Sequence, residues 1–197
     1  LASSPTRREI ERRRTLALTV GLVWLVGVVL GIGLRTDLAP SVELLLHVGV
    51  PALLGAAALA IALAPGRLGL GPSFRVGVAL AVGAPLVFMI CALVLPSAGA
   101  GGEFARGAFF CGDFGLLLGA VPLLALGWSQ RRSFVSGAGL RSLLPGVAVG
   151  LIAAAALGMP GSNRDGLHVA LGHGWPVIAL GIVGAYLIAK RTHAGAR

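Results

Sequence analysis

The sequence predicts an all-α, polytopic membrane protein: six transmembrane helices joined by short loops, with both termini cytoplasmic. Three observations lead there. The chain is 56% hydrophobic and only 12% charged, whereas about a quarter of the residues in a soluble domain are charged. With a mean hydropathy of +0.92, the apolar surplus must face lipid rather than water. The few charges cut the chain into uncharged runs of membrane length, and the basic ones gather in alternate loops.

Those runs cover 15–34, 44–66, 76–102, 114–130, 142–163 and 166–189. A helix rises about 1.5 Å per residue, so about 20 residues cross a hydrocarbon core of roughly 30 Å. Trimmed to that length, the predicted spans are about 15–34, 45–64, 76–96, 109–128, 142–160 and 168–189.

The first element is a basic tail, 1–14, containing RREIERRR (7–14), with Ile10 the sole apolar residue among those charges. It reads as a helix continuous with the first span. That span exceeds the roughly 7–15-residue core of a signal peptide, so it is expected to be retained. RTDLAPS (35–41) ends it, and APGRLGLGPSFR (64–75) separates the second span from the third. PSAGAGGEFAR (96–106) follows the third, SQRRSFVSG (129–137) the fourth, and MPGSNRDG (159–166) splits the last two. Each break combines charge with Gly, Pro or Ser, as short surface loops do. The fourth uncharged run is short, but GAFFCG (107–112) extends it upstream, placing Phe109 and Phe110 at the interface and Asp113 near a membrane boundary. Residues 190–197 form a second basic tail. The 31 glycines are packing residues that let membrane helices approach closely.

Orientation follows from the basic residues. Arg7, Arg8, Arg12, Arg13 and Arg14 precede the first span, Arg67 and Arg75 follow the second, Arg131, Arg132 and Arg141 follow the fourth, and Lys190, Arg191 and Arg197 follow the sixth. Only Arg35, Arg106 and Arg164 fall in the other loops, together with Asp37, Glu43, Glu103, Asp113 and Asp165. Excess positive charge marks the cytoplasmic side, so both termini are expected there. RREIERRR is then first a topological anchor, with attraction to anionic lipid as a by-product. The net charge of +9 does not imply a nucleic-acid partner: there is no interleaved aromatic, no helix-turn-helix pattern and no domain to hold bases.

Chemistry is sparse. The uncharged runs lack the deep ionisable residues of transporters and intramembrane enzymes, and GxSxG, HExxH, CxxC and a phosphate-binding glycine loop are all absent. No enzyme and no cofactor are expected. Pro51, Pro85, Pro122, Pro145 and Pro176 lie in or at the ends of spans, where proline kinks helices. One constellation stands out: His47, Cys91, Cys111, Asp113, His168 and His173 all fall toward the outer membrane face. Cys and His are ligands for soft metals, a Cys91–Cys111 disulfide would use the same thiols, and inert packing is the default against both. His168 and His173 are five residues apart, a spacing that does not align them on one α-helical face. His47, Cys111, Asp113, His168 and His173 are the candidate sensor residues.

The stretch FFCGDFGLLLGAVPLLALGWSQRRS (109–133), a Gly/Ala-rich fifth span, and LHVALGHGWPVIALGIVGAYL (167–187), behind a basic N-terminal segment, resemble the NrsF-type membrane anti-sigma factors (negative regulator of sigma F). The resemblance covers most of residues 5–190. It implies a bacterial inner-membrane protein that sequesters an extracytoplasmic-function sigma factor and releases it on stress. It also implies that Cys111 corresponds to a family cysteine linked to stress sensing. The family's second cysteine has no counterpart, since MPGSNRDGLH (159–168) contains none. Within the tail, Arg7, Arg8, Glu11 and Arg12 are the expected partner contacts. A small transporter or permease-like protein, or a structural subunit of a membrane complex, is the alternative; a transporter would need a polar midplane path and clearer internal symmetry than 15–96 and 111–189 display.

Overall fold

A computed structural model describes residues 6–33, 41–64, 74–94, 102–130, 143–159 and 165–194. These form six helices and, among the described residues, no strand. They are α1 (Arg7–Ile32), α2 (Val42–Leu63), α3 (Phe74–Leu93), α4 (Gly102–Ser129), α5 (Leu144–Gly158) and α6 (166–194). The loop residues Arg35, Asp37, Arg67, Arg131, Arg132, Arg141 and Arg164, which carried much of the orientation argument, lie outside the described residues.

Five of the helices are long and apolar enough to cross a membrane. The exception is α5, at 15 residues, or about 22 Å at about 1.5 Å per residue. It is shorter than the predicted 142–160 span and is also the most enclosed helix: every residue from Leu144 to Leu157 except Ile152 is buried. A helix apolar all round belongs inside a bundle, and α5 contributes to each of the bundle's apolar clusters. Val147, Leu151 and Ala154 meet Phe88 of α3 and Val177 of α6. Val149 packs with Ala17, Leu123 and Leu180, while Ala153 and Ala156 pack with Val29 and Leu118. Leu144 and Ala148 reach Ala58 and Ala81.

Small residues set these distances. A Cβ on Gly146 would stand 2.0 Å from the Leu180 carbonyl oxygen, and one on Gly150 would stand 2.6 Å from the Val177 Cα. Backbone meets backbone there, as in close membrane helix pairs. The outer faces carry large apolar side chains in the open, among them Leu22, Val23, Leu53, Ile90, Phe110 and Ile182. That is the surface of a polytopic membrane protein, with lipid where a soluble protein would place charge.

Five helices start earlier than the spans predicted from charge spacing, α2, α3 and α6 by two or three residues, α4 by seven and α1 by eight, and α6 runs on to Ala194, past the predicted end at 189. α1 runs unbroken from Arg7, so the basic tail and the first span are one helix. Thr6 caps it by accepting a hydrogen bond from the Glu9 amide, the opening half of a Thr-x-x-Glu capping box. α4 begins at Gly102, ahead of the expected residue 109. Charges mark where the lipid ends, but a helix needs only its own backbone bonds and continues into the polar zone.

α2 and α6 each contain a π turn, Leu45–Gly49 and Val169–His173. Such turns are rare and concentrate at functional sites. In each helix a proline lies just downstream, Pro51 after His47 and Pro176 after Gly172. A helical proline offers no N–H to the carbonyl four residues back and its ring crowds that carbonyl. Widening the preceding turn relieves both.

Candidate functional site

Two features combine polar side chains with a defined setting: the N-terminal end of α1 and the junction of α4 with α6.

At the first, Arg7, Arg8, Glu11 and Arg12 are exposed. Arg7 pairs with Glu11 at 2.9 Å, and Arg13 pairs with Glu9 across one helical turn. Arg14 differs from the other arginines. Its guanidinium donates to the carbonyl of Leu63 at 3.0 Å, satisfying one of the unpaired carbonyls that end α2. Arg14 therefore fastens the tail to the bundle at the edge of the apolar zone, and the residues before it project beyond. Farther along, Trp24 donates to the Leu118 carbonyl at 3.1 Å, and Gly21 lies against Pro122, where a Cβ would come within 3.2 Å. These contacts dock α1 along α4.

The second feature is built by close approach. Gly172 of α6 faces Ala108 and Cys111 of α4, so that a Cβ there would lie 3.0 Å from the Ala108 carbonyl oxygen and 3.4 Å from the Cys111 Cβ. Gly107 lies over the His168 ring. Gly112 leaves room for Trp175, whose Nε1 would be 1.9 Å from any Cβ at that position. Asp165 starts α6 by accepting from the amides of Leu167 and His168, at 3.0 and 3.1 Å, which fixes the first turn and the backbone of His168.

The result brings Cys111, His168 and His173 together. His168 Nε2 stands 3.3 Å from Cys111 Sγ, the His168 and His173 rings meet edge-on with centroids 6.0 Å apart, and one donor atom from each of the three residues lies within 4.8 Å of the others. His173 is 5% exposed, and its Nδ1 makes no hydrogen bond. His47 is also buried.

Sequence spacing misjudged the two histidines. On a regular α-helix, at about 100° per residue, positions five apart diverge. The π turn from Val169 to His173 absorbs an extra residue, and His168 and His173 come onto one side. Asp113 does not join them; it is exposed on the outward face of α4 with Phe109, Phe110 and Leu117. Cys91 and Cys111 are both free thiols, so the disulfide considered from sequence is not formed. Three contributors escaped the sequence reading. Gly112 and Gly172 gave only the general signal of small residues in a span, and Thr6 lies three residues before Glu9, a legible capping spacing.

No protein-family model matches the chain, and no curated protein or solved structure matches it at a significant level.

Proposed function

We propose that the chain is a multi-pass membrane regulator that binds a cytoplasmic protein through the charged end of α1, and that this partner is an extracytoplasmic-function sigma factor held at a bacterial inner membrane. The partner's identity rests on the sequence resemblance to NrsF-type anti-sigma factors. The observation that carries the binding mode is the continuity of α1: Arg7, Arg8, Glu11 and Arg12 stand exposed on the same rigid helix that enters the bilayer, beyond the Arg14–Leu63 tether. The orientation with termini in the cytoplasm belongs to the same reading and is supported by the bias of Arg and Lys toward alternate loops.

On this reading the protein is a membrane tether that acts by sequestration, and release requires two states of different affinity for the partner. α4 is the element suited to couple them, because it carries Cys111 at one level and docks α1 through Leu118 and Pro122 at another. The test is co-expression with the sigma factor encoded beside the gene. The intact chain should silence a sigma-dependent promoter, and replacing Arg7, Arg8 and Glu11 while keeping Arg12, Arg13 and Arg14 should relieve silencing with insertion unchanged. Full repression by that variant would reduce the tail to an anchor. An intact chain that never represses would end the anti-sigma reading.

A further inference from the structure

Cys111, His168 and His173 come from two helices and sit among apolar residues of the bundle. A thiol and two imidazoles there must either satisfy one another or bind something. They satisfy one another only in part: Cys111 and His168 share a contact at 3.3 Å, and the His173 Nδ1 is buried without a partner. A buried polar atom of that kind carries a free-energy penalty that a ligand can remove.

We propose that these three residues form a binding site for a single soft or borderline d10 metal ion, Zn(II) or Cu(I). On a tetrahedral ion, a thiolate at about 2.3 Å and an imidazole nitrogen at about 2.0–2.1 Å stand about 3.5 Å apart. The His168–Cys111 separation of 3.3 Å already matches. The widest donor separation, at most 4.8 Å, closes by about 1 Å of side-chain rotation. One thiolate with two imidazoles selects Zn(II) and Cu(I) over Mg(II) and Ca(II), which take oxygen ligands, and Asp113 points away from the site. Three donors complete a trigonal Cu(I) site, where the thiolate cancels the ion's charge, which suits a low-dielectric bundle. Zn(II) would take its fourth ligand from water. On binding, the Cys111 proton leaves to solvent and the metal–sulfur bond replaces the thiol–imidazole contact.

Three devices place the donors, and none is needed for a merely packed cysteine. The π turn aligns His168 with His173, the Asp165 cap fixes the first turn of α6, and Gly172 brings α6 onto Cys111. The inference does not depend on what the α1 tail binds.

The experiment uses the full chain in lipid nanodiscs, stripped of metal and kept reduced and anaerobic, with Zn(II) and Cu(I) titrated separately against a competing chromophoric chelator. Uptake of one equivalent of either ion is expected. Cys111→Ser and His173→Ala should each weaken it by at least about 10–100-fold, the loss seen even for outer-shell groups, while Cys91→Ser leaves it unchanged. With Co(II) as the probe, a thiolate-to-metal charge-transfer band should appear and vanish in Cys111→Ser. In the unaltered chain, which needs no variant to fold, bound metal should slow maleimide alkylation of Cys111 and leave Cys91 unaffected. Absence of uptake of both ions, uptake indifferent to Cys111→Ser and His173→Ala, or equal alkylation of Cys111 with and without metal would each overturn the assignment.

Discussion

His168 Nε2 lies 3.3 Å from Cys111 Sγ although 57 residues separate them in the chain. That contact exists because α4 and α6 touch through glycine, and its first consequence concerns stability. In Gly172→Ala the new methyl would fall 3.0 Å from the Ala108 carbonyl oxygen, and a backbone atom cannot swing aside. Overpacking of this kind costs about 1–3 kcal/mol. Thermal unfolding in mild detergent should show that loss, whereas Gly27→Ala, with nothing within 4 Å, should be neutral or stabilising by up to about 1 kcal/mol. Equal melting of the two variants would mean that the α4–α6 approach is looser than described.

Pro176 supports the site without supplying a donor. Replacing it by Ala restores an N–H that can bond the carbonyl of Gly172 and removes the ring that crowds it. Regular α geometry then returns and turns His173 away from His168. Pro176→Ala should lower metal affinity at least about tenfold, an effect of the outer-shell kind, while helical content by circular dichroism is preserved. Unchanged affinity would show that the π turn does not place the histidines.

Arg14 and Arg7 separate tether from exposed surface. Arg14→Ala removes a charge-assisted hydrogen bond to the Leu63 carbonyl, worth about 1.5–3 kcal/mol. Arg7→Ala removes an ion pair whose arginine side chain is 85% exposed, worth less than about 0.5 kcal/mol. Denaturation midpoints of the two single variants should differ accordingly. A larger loss from Arg7 would place that residue in a fold contact.

Reporter fusions address orientation. Fusions after residues 67, 132 and 197 should report cytoplasm, and fusions after 38, 104 and 164 should report periplasm, as the alternating positive charge requires. A periplasmic C-terminus would give an odd number of crossings, and the short α5 would be the helix to reconsider.

The helices were legible because lipid imposes a simple rule: charge stops where hydrocarbon starts. Charge spacing therefore located every helix, and the tail at Arg7 continues the first span as expected. The bounds erred most at Gly102 and at Ala194, where polar segments continue a helix beyond the predicted span. The site was half legible. Cys111, His168 and His173 were singled out by residue type and by the membrane face they share, but their meeting depends on two things a linear pattern hides. One is the π turn, which breaks the periodicity used to judge the histidine spacing. The other is the pairing of Gly172 with Ala108 and Cys111: a chain rich in small residues offers many such pairs, and only the packed bundle selects one. Asp113 was grouped with them by the membrane face it was expected to share, but it lies two residues from Cys111, and on a helix that separation points it to a different side.

The enclosure of α5 also bears on how the protein is made. At 15 residues it is shorter than the roughly 20 that an insertion machinery reads as a self-sufficient span, and its Ala and Gly offer little gain from lipid. α6 meets it at Gly146 and Gly150 and leaves the ribosome only after it, whereas α2, which packs on it no less extensively, precedes it. The last two helices are therefore expected to settle in the bilayer together, against α2 to α4 already in place. A nascent chain truncated before α6 would expose a segment with no settled address, the form that membrane quality-control proteases remove.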